Sequence, residues 1–199
     1  MINQIFIDTD CISSFLWVDE TNILEVLYPG RIVIPESVYR ELSHPRVKQL
    51  RKKTDELISR GSACVCDIYV DSDEYKIYKS LTTNTDNQKL IGKGEAAAIA
   101  LAVVRNGILA SNNLSDTMPY IKKYDISYIT TPDILVKAYE KGIIDEDKGN
   151  ELWKNMVKRK RKLPGDSFSD YLVKHCKLLT HKKTVTHKIV HDRKSKETL

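Results

Sequence analysis

The chain reads as an α/β protein with a mostly parallel central sheet covered by helices on both faces, in three layers. Three observations lead there. Short apolar runs, most with β-branched residues, recur along the chain as IFID, RIVIP, ACVCDIYV, GILAS and ISYIT. Helix-like stretches separate them, the pattern that a parallel sheet requires of its crossovers. At 199 residues the chain can bury one sizeable core and carry an appendage.

The elements follow in order. The first apolar run ends at Asp8, and CISSFLWV followed by TNILEVLY continues as helix, with Thr21 as a cap, until Pro29-Gly30. RIVIP is the second strand. Pro35 and Glu36 open the helix PESVYREL, which Pro45 punctuates. RVKQLRKKTDELISRG is an exposed, charged helix closed by Gly61. After the third strand, DSDEYKIYKSL is helical and TTNTDNQ is a polar loop. Gly92 and Gly94 lead into the alanine-rich helix EAAAIALAVVRNG, which stops at Gly107. GILAS is a strand, NLSDTMPYIKKYD a turn and helix, and ISYIT the last strand. Thr131 before Pro132 starts the next helix. DEDKGNELWKNMVKRKRK and DSFSDYLVKHCKLL are two more.

Composition narrows the function. No apolar run approaches a membrane span, and the N-terminus lacks a basic leader, which points to the cytoplasm. The four cysteines form no CxxC pair and read as reduced thiols. Charge is divided unevenly. Residues 158–199 carry a balance of +9, and residues 1–157 a balance of −4. A mildly acidic body thus bears a basic C-terminal piece, a natural contact for phosphates.

The acids of that body have a pattern. In an open parallel sheet the functional crevice lies beyond the carboxyl ends of the strands. Asp8 closes the first strand, Glu41 lies on the helix after the second, Glu95 opens the alanine-rich helix, and Asp116 follows GILAS. Singly, each has an ordinary role: Asp8, Asp10 or Asp116 as a helix cap, Glu41 as a solvated helix acid, Glu95 as a complement to the helix dipole. Glu36, earlier on its helix, competes with Glu41. Together the four fall where one cleft would form. Converging carboxylates repel and raise one another's pKa values unless a hard cation offsets them, and all-oxygen ligation suits Mg2+ or Mn2+.

These residues carry a family resemblance. IFIDTDCISSFL resembles the opening of PIN domains, IPESVYREL their second element, and GKGEAAAIALAVVRNGILASNNLSD their third and fourth. The likeness covers roughly residues 3–140 and is nearest to PIN proteins of toxin–antitoxin type. It implies a PIN-like fold and a metal-dependent ribonuclease with Asp8, Glu41, Glu95 and Asp116 at its centre. Asp8, Glu95 and Asp116 would be metal ligands, and Glu41 a ligand or the base that orients water. Thr9, Ser111 and Asn112 would assist ligands or substrate. The resemblance also implies a homodimer and a cognate antitoxin. Two departures stand out: Glu95 replaces the Asp of many relatives, and Ser111-Asn112-Asn113 lies where some carry an extra acid.

On this reading residues 1–141 are the nuclease domain, 142–179 a helical extension packed on it, and 180–199 a basic tail. Lys158, Arg159, Lys160 and Arg161, with Lys182 and Lys183 of the tail, are the candidate RNA contacts; a solvated helix end is the ordinary alternative for the first group. Cys176, His181, His187 and His191 match no firm zinc spacing. Tyr75 and Tyr78, three apart, read as helix packing. Asp8-Thr9-Asp10 also resembles the first motif of haloacid-dehalogenase-like phosphatases, but GILASNNLSD has asparagines where their later acid pair should begin. A non-catalytic PIN-fold module that binds RNA or a partner through its basic segment is the other alternative.

Overall fold

The computed structural model describes residues 3–83 and 90–176. Lys182, Lys183 and the three tail histidines therefore lie outside the described residues. Five strands form one sheet in the order β3-β2-β1-β4-β5. They are β1 (Ile5–Ile7), β2 (Ile32–Pro35), β3 (Ala63–Cys66), β4 (Ile108–Ala110) and β5 (Ser127–Ile129). Every pairing is parallel, with Ile5 opposite both Ile32 and Ile108. The expected mostly parallel sheet is thus wholly parallel among the described residues. Its third strand is shorter than ACVCDIYV, since pairing stops at Cys66.

Helices cover both faces. They are α1 (Thr9–Trp17), α2 (Thr21–Leu27), α3 (Glu36–Leu42), α4 (Lys48–Ser59), α5 (Asp73–Thr82), α6 (Lys93–Val104), α7 (Leu114–Tyr124), α8 (Thr131–Glu140) and α9 (Glu146–Lys158), with a 3-10 turn at Pro45–Val47. Residues 168–176 are also helical and are called α10. The stretch expected as one helix after β1 is two, because Asp19 takes a left-handed backbone (φ 60) between them. Thr21 lies inside α2, not at its cap. The cap of α8 is Thr130, one residue before the Thr131 expected: its hydroxyl accepts from the Asp133 N–H, and Asp133 accepts from the Thr130 N–H.

Strand alternation sorts the core into two layers. Ile5, Ile7, Ile32 and Ile34 face α1–α4, α8 and α9; Phe6, Val33 and Leu109 face α6 and α7. Helix α6 is apolar almost all round, and its Ala96, Ala97, Ala98, Ala100 and Ala102 are buried. Small side chains let this helix lie close to the sheet, which sets the position of its N-terminus.

The C-terminal helices share the first core layer. Trp153, Met156 and Phe168 are completely buried there. Phe168 lies directly on Gly149 of α9, where a β-carbon would come within 2.2 Å of the ring. Asn150 and Ser169 exchange two hydrogen bonds beside it, at 2.8 and 3.2 Å. Replacing Gly149 by Ala improves helix propensity by about 1 kcal/mol, but forces the Phe168 ring out of its seat at a cost of about 1–3 kcal/mol. We expect Gly149→Ala to lower the melting temperature and to increase proteolysis around residue 168. A raised melting temperature would show that Phe168 yields without cost.

Candidate metal and nucleic-acid site

The strand order reverses direction at β1 and β4, the switch point where an open sheet leaves a crevice. Asp8 leaves β1 at that point and caps α1. Its Oδ1 accepts from the Cys11 N–H at 2.7 Å. The side chain is fully buried, and its Oδ2 has no hydrogen-bond partner. Burial pushes the Asp8 pKa up to about 7, and the charges of Asp10 and Glu95 add to the rise; the Ser111 hydroxyl and the Cys11 N–H oppose it. A buried carboxylate oxygen without a proton donor calls for a proton or a cation.

The other three acids each accept from neutral donors. Glu41 accepts from the Thr9 hydroxyl with one oxygen and from the Gly94 N–H, at 3.2 Å, with the other. Gly94 is needed for that approach, because a β-carbon would meet Thr9 Oγ1 at 3.0 Å and Glu41 Oε1 at 3.1 Å. Glu95 accepts from the Gly92 N–H at 3.2 Å and from the Asn113 side-chain amide at 2.8 Å. The same amide nitrogen donates to Asp116 Oδ2 at 3.0 Å. Asn113 thus stands between two carboxylates, supplying positive hydrogens where they would otherwise repel. Glu36, the rival of Glu41, is instead paired with Arg40 at 2.9 Å.

Asn112 borders the same hollow as Asp10 and Asp116. Its amide nitrogen donates to Thr131 Oγ1 at 2.9 Å, and its oxygen accepts from the Thr131 N–H at 2.8 Å, tying β4 to the start of α8. The amide that bonds Glu95 and Asp116 belongs to Asn113. The two neighbouring asparagines thus bond different partners, and composition cannot rank them. Ser111 is buried, accepts from the Asn113 N–H at 3.3 Å and acts on Asp8.

Two hollows flank the acids. A cleft of about 820 Å³ is lined by Asp10, Asn113 and Asp116 together with Lys160, Arg161 and Lys162. A second, of about 460 Å³, includes Glu41. Asp116 borders the first hollow and Glu41 the second. Arg161 is engaged within the protein: it donates to Asp10 at 3.1 Å and to Ser13 at 3.0 Å. Lys158 ends α9, Arg159 stacks over Trp17 at 5.2 Å, and exposed Lys160 has a left-handed backbone (φ 61) that turns the chain toward the cleft.

The donors suit a hard divalent cation: all are carboxylate oxygens, and one is buried without a partner. Among the described residues, no three His, Cys, Asp or Glu side chains are already gathered as a ligand cluster.

Fold and site together define a three-layer α/β protein with acids gathered at the carboxyl ends of a parallel sheet. A family model described as a PIN domain matches residues 4–175, and the chain belongs to the PIN-domain family. The match takes in α9 and most of α10. Members are generally hydrolytic nucleases that use divalent metals. A search of curated proteins finds no significant match. No described helix is long and apolar enough to cross a membrane.

Asp8 gives the metal-free protein a distinctive pH response. The folded state keeps this proton up to about pH 7, whereas an unfolded chain releases it near 4. The folded state binds more protons across that window, so this contribution to stability is full below pH 4. It erodes as pH rises toward 7, by at most about 1.4 kcal/mol per unit. In EDTA, we expect the melting temperature of Asp8→Asn to decline less than that of wild type between pH 5 and 7.5. At pH 7.5, Mn2+ should raise the wild-type melting temperature and leave the variant's unchanged. Equal pH slopes would mean that Asp8 is already ionised without metal.

Proposed function

We propose that this chain is a cytoplasmic, metal-dependent endoribonuclease that hydrolyses RNA phosphodiester bonds, and that it acts as the toxin of a type II toxin–antitoxin pair. The observation that carries the nuclease reading is the buried, half-unpartnered Asp8 carboxylate at the sheet's switch point. Family membership supports the same chemistry. The toxin role, a homodimer and a cognate antitoxin that blocks the acidic site rest on the motif resemblance.

Asp8, Glu95 and Asp116 would hold Mg2+ or Mn2+, in part through water. A hard cation at such a site polarises a phosphodiester oxygen and lowers the pKa of a water. Glu41, exposed and held by Thr9 and Gly94, is placed to orient that water and accept its proton. Asn113 keeps Glu95 and Asp116 at a fixed separation. Lys160 and Lys162, which line the larger cleft with Asp116, meet the RNA backbone. Arg161 neutralises Asp10, so the rim nearest them does not repel phosphate.

Total RNA incubated with Mg2+ or Mn2+ tests this reading. Wild type should cut it, and Asp8→Asn and Asp116→Asn should lose about 100-fold or more in rate. Asn113→Ala, which only releases two acids, should lose about 10- to 100-fold. Cleavage by both Asp variants at the wild-type rate would sink the four-acid site. RNA binding without any cleavage by wild type would favour the non-catalytic module. For the toxin role, induced wild type should arrest growth and Asp8→Asn should not.

A further inference from the structure

The hollow on the Glu41 side is built differently from the basic cleft. Its walls are the half-buried rings of Tyr75 and Tyr78 on α5, with Ile68 and Ala97 beside them. The two ring centroids lie 6.4 Å apart at an interplanar angle of 34°. Arg40, His44 and Lys93 stand at the margin, together with the carboxylates of Glu36 and Asp67. Two tyrosines at helical spacing that only packed α5 onto α6 would be covered by neighbours; these line an open groove that also contains a candidate catalytic acid.

We propose that this groove seats a nucleobase of the RNA strand adjacent to the scissile phosphate, stacked against Tyr75 and Tyr78. The inference rests on the ribonuclease reading and deepens it. An aromatic and aliphatic wall suits the flat face of a base, and every base has one, so stacking holds single strands without demanding a sequence. A phosphate fits poorly, because Glu41 and Asp67 would repel it, whereas Glu36 is already paired with Arg40. Glu41 and Asp67 can accept hydrogen bonds from exocyclic amino groups of a base. Lys93 is placed for a neighbouring phosphate. Continuity supplies the direction of the strand: Glu41 belongs to the groove, and its partners Thr9 and Gly94 adjoin Asp8 and Glu95 in the chain. A strand crossing from Lys160 and Lys162 over the acids arrives at the two tyrosines.

The test separates base from backbone. Binding of a fluorescent octamer of adenylate RNA is compared, in EDTA, with an octamer of abasic ribose phosphate of equal charge. Wild type should prefer the RNA by about tenfold or more. Tyr75→Ala and Tyr78→Ala should each cut that preference severalfold while leaving affinity for the abasic chain unchanged; Tyr75→Phe and Tyr78→Phe should retain the preference. Tyr75→Leu and Tyr78→Leu, which fill the same space without a ring, should behave as the Ala variants and guard against a folding defect. An undiminished preference in the Leu variants overturns the proposal, as does a wild type that binds both octamers equally. If wild type still cuts RNA in that case, the nuclease reading stands and only the base-binding groove falls. A wild type that neither cuts RNA nor binds either octamer removes both.

Discussion

A carboxylate buried at the end of a central strand is costly, and the structure is arranged around that cost. Asp8 sits where β1 gives way to α1, with one oxygen satisfied by the helix it caps and the other left without a donor. Its strand has neighbours on both sides, and the carboxyl is fully buried. Desolvation raises its proton affinity, and nearby Asp10 and Glu95 raise it further. A fold selected for stability alone would place an amide or an alkyl group here. Keeping an acid in such a position fits a site whose counter-charge arrives with a ligand.

Around Asp8, neutral donors hold Glu41 and Glu95 in place. Thr9, Gly92, Gly94 and Asn113 are all neutral donors. Neutral donors fix carboxylate positions yet leave their charge available. Arg161 is spent on Asp10, and Lys160 and Lys162 line the same cleft as Asp116. The acidic body and basic C-terminal piece seen in the composition thus meet in one cleft. That arrangement depends on α9 and α10 being anchored in the first core layer by Trp153 and Phe168.

Much of the fold could be read directly. All five strands, the breaks near Pro29 and Pro45, and the alanine-rich helix α6 are local features, governed by side-chain periodicity and backbone preference. Where the reading slipped, competing local signals were of equal strength. Thr130 and Thr131 are both able caps, and only the reach of Asp133 back to the Thr130 N–H chose between them. The helix expected to run on after β1 was split by a left-handed Asp19, which periodicity does not register.

The candidate site divides along the same line. Sequence alone determined which acids stand at strand ends and helix starts, because Asp8, Glu95 and Asp116 are placed by elements only a few residues long. Tertiary structure decided the rest. It brought Asn113 to Glu95, set Thr9 and Gly94 against Glu41, and drew Arg161 onto Asp10. Each of those outcomes is a contact between residues far apart in the chain. Its geometry is set by how closely α6 lies on the sheet and where α9 ends, and no local pattern encodes either.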